Sequence, residues 1–336
     1  MNRLTGLAVA LVALIGQTPV ANSQTYNFTL VTIPIPGETY ALLPEAVPKH
    51  ISSATGGKVK IVVNESLVPG TQLHSAVRDG RVEMAGVLPA YISAEAPFLT
   101  VGNLPGVVVS IDQFKKLLAS PVWQEKTTSI WRDKYNVHVL AYGAFGPQNI
   151  MSMKPILSVN DFNGLKVRVS NSQTAKLLEG LGARPTPMVI TEVMPALERG
   201  ALDAVQNSII GSVHQGFPAI VKHAQIWPLG TIQPWVIAVN RDVWAKLPED
   251  IRQGITAGMQ ELQKDMFSRW DLMLSDAISL WKTKGIEVKY APAEEIEKLN
   301  NGDHATAVVD AWLARSRELG LDGEAFLKDV RAALAN

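Results

Sequence analysis

The sequence contains no cysteine, which excludes disulfides, thiolate metal sites and a lipid-modified cysteine anchor. Its six histidines, His50, His74, His138, His214, His223 and His304, lie far apart, with no pair at the three- or four-residue spacing of a metal site. Neither sign of charge is in excess: 31 basic residues balance 31 acidic ones. No global field therefore draws the chain to phosphate backbones or anionic lipid, and nucleic acid is not expected as a partner. A nucleophile elbow, a Walker loop and a G-x-G-x-x-G fingerprint are all missing. The segment Thr55-Gly56-Gly57-Lys58 has half the look of a phosphate loop but lacks its first glycine and its following hydroxyl residue, so it reads as a helix stop followed by a strand. Beyond the first residues no apolar run approaches the length needed to cross a bilayer.

At the start, the polar and basic Asn2 and Arg3 precede an apolar run from Leu4 to Ile15 and then small residues at Ala21 and Ser23. This is the pattern of a secretory signal peptide, residues 1–23, cut before Gln24. The run is too short for a comfortable membrane anchor. Export and the absence of cysteine together predict a freely diffusing periplasmic protein. The 336 residues are about twice the usual single-domain length, and 47% hydrophobic against 18% charged residues suits a packed globule.

After Gln24 the chain alternates strand and helix patterns, the mark of a mainly parallel α/β sheet. Asn27 to Ile33 reads as a strand. Leu43, Val47, Ile51 and Ala54 mark a helix that Pro44 and Pro48 weaken, stopped at Gly56-Gly57. Lys58 to Val63 is a strand with one buried face, Thr71 to Asp79 a helix ended by Gly80, and Val82 to Leu88 another strand. The grammar recurs. Thr71, Ala76, Gly80, Val82 and Glu83 reappear 120 residues later as Thr191, Ala196, Gly200, Leu202 and Asp203. Lys166 to Val169 repeats the texture of Lys58 to Ile61 at an offset of 108, so a twelve-residue insertion between strand and helix is expected. Two similar α/β lobes follow, with ligand at the carboxyl ends of their strands. Ile251 to Leu280 carries an apolar stripe through Ile255, Met259, Leu262, Met266, Trp270 and Leu274, a long helix bracing both lobes. A strand at Ile286 to Tyr290 and helices at Glu294 to Asn301 and Ala305 to Leu319 complete the reading.

The second unit holds a polar set: Gln148 and Asn149, Arg168, and Gln206 with Asn207. Val167 and Val169 turn one way along their strand, so Arg168 projects from the other face. A surface ion pair accommodates it; so does a role as a planar fork gripping a carboxylate through two parallel bonds, which lysine does not copy. Asn207 follows the strand Leu202 to Val205, where α/β ligands bind, and both donates and accepts; a turn asparagine is the plainer alternative.

Several stretches together resemble the solute-binding proteins of tripartite ATP-independent periplasmic (TRAP) transporters, the DctP-like family. They are Thr55–Ile61, Phe162–Val169, Pro185–Met188, Thr191–Val193 with Ala196-Leu197, Asp203–Asn207, and Trp244 with Leu247–Asp250. The resemblance implies a two-lobed periplasmic binding protein (type II-like), its α/β domains joined by crossing strands, with lobe I at 24–145 and 233–272 and lobe II at 146–232 and 273–336. It implies a binding protein, not an enzyme, that captures a small organic acid for delivery to membrane permease subunits; the signal peptide, the absence of cysteine and the scattered histidines add the expectation of a monomer without cofactor or metal. In this family the arginine matching Arg168 binds the substrate carboxylate and the asparagine matching Asn207 lies beside it. Many relatives carry a second arginine where this chain has Gln148, a departure that favours a monocarboxylate, such as a 2-oxo or 2-hydroxy acid with an apolar or aromatic substituent. Ile190 falls where relatives place an aromatic residue, and Tyr91 and Trp235 are candidates for apolar walls. The alternatives are a periplasmic hydrolase or isomerase acting on an organic acid, and a binding protein feeding a sensor or an ATP-driven importer.

Overall fold

The computed structural model of the protein describes residues 25–229 and 232–335; the expected signal peptide lies outside them. Its strands are, in chain order, β1 (Tyr26–Val31), β2 (Val59–Asn64), β3 (Met84–Val87), β4 (Val137–Ala144), β5 (Gln148–Ser152), β6 (Lys166–Val169), β7 (Arg184–Pro187), β8 (Ala204–Ser208), β9 (His223–Ile226), β10 (Pro234–Asn240) and β11 (Val288–Tyr290). They form two sheets, ordered β2-β1-β3-β10-β4 and β11-β9-β5-β8-β6-β7. In each sheet a parallel run meets one antiparallel strand supplied from the far side of the chain: β10 between β3 and β4, and β5 between β8 and β9.

Laid on each other, the orders match as β2 with β7, β1 with β6, β3 with β8, β10 with β5 and β4 with β9. The repeat is therefore real in topology, and its helical half keeps the 120-residue offset: the helices Leu73–Arg78 and Val193–Glu198 end at Gly80 and Gly200, whose φ angles of 67° and 68° are the left-handed conformation that stops a helix. Its strand half is a correction. Lys58 to Ile61 lies in the edge strand β2, whereas Lys166 to Val169 is β6, the counterpart of β1. No twelve-residue insertion exists; the residues between β6 and the second helix are the helix Ser172–Gly180 and β7, equivalents of the helix Leu43–Ala54 and β2. Basic and β-branched alternation describes any half-buried strand, so texture could not tell an edge strand from its neighbour.

Helix Leu43–Ala54 survives its prolines. Pro44 occupies the first turn, where no amide partner is lost, and Pro48 is tolerated because Leu43, Val47 and Ile51 are fully buried. The 35-residue helix Glu249–Thr283 spans about 52 Å at ~1.5 Å per residue. Its first half lies against the helix Leu43–Ala54, so closely that a Cβ on Gly258 would stand 2.8 Å from the His50 carbonyl oxygen. Towards its other end Trp281 donates its indole N–H to the Ile209 carbonyl at 2.9 Å. The helix thus braces both sheets with one continuous element.

The apolar cores divide less simply than the sheets. The strands of the first sheet fall within 24–145 and 233–272, and those of the second within 146–232 and 273–336. Yet Phe98, Val101, Ile111, Phe114, Leu117 and Trp123 join the apolar cluster that also holds Phe162, Val167 and Trp227. There Phe98 stacks between Trp312 and Phe326, with ring centroids 5.4 and 4.3 Å away. The partners come from the helices Asp303–Glu318 and Gly323–Ala335, and the second of these went unread in the sequence. A helix's apolar stripe announces burial without naming the element that covers it.

The packing behind the first sheet makes a direct test. Gly143 sits opposite Trp235 in the β4–β10 register, and a Cβ there would lie 1.9 Å from the indole ring. Trp235 cannot retreat, being fully buried with its N–H donated to Thr39 Oγ1 at 3.1 Å. Gly143→Ala is expected to destabilise the protein by about 1–3 kcal/mol through overpacking, measured as a lowered urea midpoint at unchanged slope.

Candidate functional site

The parallel strands of both sheets end towards a shared cleft, and a small cavity lies there. Its lining comes from just past the strand ends: Ile35 after β1, Leu88, Ala90 and Tyr91 after β3, Phe145 after β4, and Ser170 after β6. The antiparallel strands contribute their starts, Gln148 at the head of β5 and Gln233 before β10, while Asn207 lies within β8, one residue from its end, and not after the strand as expected. This is where open α/β sheets hold ligands, because the connections diverge there.

Arg168 is the chemical centre of that cavity. It is 1% exposed, in a strand where only Lys166 at the start keeps partial exposure. Val167 and Val169 enter the apolar cluster on one side, and Arg168 turns to the other. Its Nε donates to the Met188 carbonyl and its Nη1 to the Gln206 carbonyl, each at 2.9 Å, which fixes the guanidinium plane. Tyr91 is its third partner; its hydroxyl also accepts from the Ile190 amide at 3.2 Å. No carboxylate pairs with Arg168 among the described residues. Burial lowers its affinity for the proton and raises that of the Tyr91 phenol, each partly offset by the other's presence. The result is a cation with no counter-ion, several N–H groups still to satisfy, and an empty space beside it.

Below Arg168 runs a neutral hydrogen-bonded network. Gln206, fully buried, accepts from both the amide and the hydroxyl of Ser170 at 3.1 Å and donates to Gln148 Oε1 at 3.1 Å. Gln148 Nε2 in turn donates to the Gly146 carbonyl at 2.9 Å, and Gln233 donates to Ser170 Oγ at 2.9 Å. Asn207 is oriented by donating to Ser212 Oγ at 3.0 Å.

Of the residues singled out in the sequence, Arg168, Asn207, Gln148, Tyr91 and Ile190 all line the cavity. Trp235 does not: it packs edge-on to Tyr40 behind the wall, with ring centroids 5.9 Å apart. As an inward residue of a strand flanked on both sides it belongs to the core. Asn149 is also buried away from the cavity, its Nδ2 donating to the Pro147 carbonyl at 2.7 Å. Glu38, Ser170 and Gln233 went unread. The rule that ligands meet strand ends points to Ser170, but Gln233 and Glu38 reach the cleft from connections whose course only the fold sets.

No described residues gather three or more histidine, aspartate or glutamate side chains into a metal-holding group. The lining serine, Ser170, is engaged by glutamines rather than by a base. Comparison with known proteins decides the matter. Residues 40–310 match the family model of the bacterial extracellular solute-binding protein, family 7 (DctP). The chain belongs to this family. The receptor is 28% identical over 230 residues to a solute-binding protein of Roseobacter denitrificans, an alignment covering 65% of this chain and 68% of that one. Its fold matches that of DctP7 of Bordetella pertussis, an extracytoplasmic solute receptor binding pyroglutamic acid, with a TM-score of 0.83, 20% identity, and coverage of 91% of this chain and 100% of the other. It also matches a TRAP periplasmic solute-binding protein of Desulfovibrio salexigens with bound orotic acid, with a TM-score of 0.84, 19% identity, and coverage of 93% and 99%. As a member of this family the chain is an extracytoplasmic solute-binding protein with the two-lobed fold of these solved structures, and not an enzyme. No helix among the described residues is long and apolar enough to cross a membrane.

The neutrality around Gln148 can be probed directly. Gln148→Arg is expected to shift the preference of the receptor towards dicarboxylates over matched monocarboxylates by about tenfold or more, because it places a second cation in the cavity. Competition titrations with such pairs measure the shift. An unmoved preference would show that position 148 does not set ligand charge.

Proposed function

We propose that the receptor closes over a small monocarboxylate, such as a 2-oxo or 2-hydroxy acid with an apolar or aromatic substituent, and presents it to the membrane permease subunits of a TRAP transporter. The observation that carries this reading is the burial of Arg168 beside a cavity, with no ion pair to any carboxylate among the described residues. A buried cation is costly unless an anion meets it, and the guanidinium suits the two oxygens of a carboxylate. Gln148 supports one acid group rather than two, since the network beneath it holds no further cation. Ile35, Leu88, Phe145 and Ile190 supply apolar wall for the rest of the ligand. Both solved relatives described above bind acids with a single carboxyl group, in keeping with this choice.

Capture would proceed by closure of lobe I (24–145 and 233–272) against lobe II (146–232 and 273–336), with the segment 97–123 travelling with the core it packs in. The strand crossing near 145–148 and the long helix act as the hinge. Small-angle scattering is expected to show a smaller radius of gyration once ligand saturates the protein; an unchanged radius with binding verified separately would count against a hinge.

The carboxylate reading has a sharper test. Arg168→Ala and Arg168→Lys are both expected to lose roughly 3–5 kcal/mol of binding free energy, about two to nearly four powers of ten in Kd. Lysine keeps the charge but not the planar fork. Titration calorimetry on both variants, with circular dichroism to verify folding, measures the loss; near-wild-type affinity in Arg168→Ala would refute the assignment.

A further inference from the structure

A second buried ionisable side chain lines the cavity that holds Arg168. Glu38 is 2% exposed. Its Oε2 accepts from the Gly146 amide at 3.0 Å and its Oε1 from the Gly211 amide at 2.9 Å. Ser208 Oγ accepts from the Ile210 amide at 3.1 Å, which leaves its hydroxyl proton to donate to the Glu38 carboxylate. The chain is built tightly around this group: a Cβ on Gly211 would lie 2.9 Å from Glu38 Oε1, and one on Gly146 would lie 2.4 Å from Ser208 Oγ. Side chains at these glycines would push the donors away from the carboxylate.

Burial raises the affinity of Glu38 for a proton, while the Ser208 hydroxyl and the Gly146 and Gly211 amides oppose this and favour its oxygens as acceptors. A carboxylate offers about four lone-pair directions, of which these partners occupy three. Arg168 does not use the remaining one, for no ion pair joins the two residues, and its own protein partners are Met188, Gln206 and Tyr91. The same small cavity therefore presents a cation at one place and a hydrogen-bond acceptor at another. A ligand that offers only carbon or further acceptors to Glu38 strips water from a carboxylate and returns nothing. A ligand with a suitably placed N–H or O–H replaces that water with a charge-assisted hydrogen bond.

We propose that Glu38 is a specificity-determining residue that accepts a hydrogen bond from the ligand, so that the receptor takes small monocarboxylates carrying an N–H or O–H donor away from the carboxyl group in preference to matched acids without one. This rests on the reading of Arg168 as the carboxylate-binding group, and it narrows the ligand class by chemistry that composition and motif do not reveal.

The test is titration calorimetry on the mature protein with a panel of shape-matched acid pairs: pyroglutamate against the lactone in which oxygen replaces its N–H, and 4-hydroxybutanoate against pentanoate. In at least one pair the donor-bearing acid is expected to bind about ten- to a hundredfold more tightly, the range for a hydrogen bond to a charged group. Glu38→Gln is expected to bring that ratio to within about threefold. If Glu38 serves only to hold the fold together, the substitution lowers both members of each pair by the same factor and the ratio survives, which overturns the proposal. Equal affinities within every pair in the wild type also overturn it, while loss of both affinities in Arg168→Ala would leave the carboxylate reading standing. Failure of every acid in the panel to bind the wild-type protein overturns that reading and this proposal together. Should Glu38→Gln not fold, Glu38→Asp, which withdraws the acceptor by one methylene, carries the same comparison.

Discussion

A guanidinium withdrawn from water must recover its hydration from fixed partners, and at Arg168 the protein supplies only part of what was lost. Two backbone carbonyls and the Tyr91 hydroxyl hold the group in place. None of them carries the negative charge that would make its burial comfortable. Among the described residues no acid forms an ion pair with it: the floor is a network of glutamines and serine, much of the wall is apolar, and Glu38, which also lines the cavity, is bound to other partners. Leaving one charge unmet is how a rigid scaffold reserves a place for an anion, and it explains why a binding protein needs so little other chemistry.

The two sheets make that reservation possible. Their matching strand orders aim equivalent strand ends at one cleft, so lining residues from both halves converge although they are far apart in the chain. Elements crossing between the halves hold this arrangement. The strand β10 returns to the first sheet after β5 to β9 of the second, and one continuous helix is fastened to both. These crossings are where the proposed closure of the two lobes would turn. Glu38 belongs to the same logic. It comes from the connection after β1 yet is gripped by amides at Gly146 and Gly211, so a recognition group from one half is positioned by the other.

Legibility in the sequence followed the range of the interaction concerned. Helix and strand periodicities, the glycine stops at 80 and 200, and the long amphipathic helix are local consequences of φ/ψ preference and of which residues avoid water. All are found where that chemistry puts them. The pairing of the strand texture at Lys58 with that at Lys166 failed because an edge strand and its neighbour share one alternation pattern. Trp235 was misread for a related reason: a large aromatic next to the cleft and one behind its wall have the same sequence neighbours, and only the flanking strands determine which it is. The segment 97–123 shows the limit most plainly, since its apolar residues predict burial but are covered by helices some two hundred residues later.

By itself, then, the sequence determined the alternating α/β grammar, the absence of thiol and clustered-histidine chemistry, and the one arginine placed in an apolar strand, because these depend on residue type and short spacing. It also carried the DctP-like motifs from which the receptor class followed. Only the tertiary structure decided which polar residues meet that arginine, that no acid reaches it, that Trp235 stands outside the cavity, and that Glu38 enters it. Those facts are distances between strand ends and returning connections, and such distances are set by sheet order and packing rather than by any run of neighbouring residues.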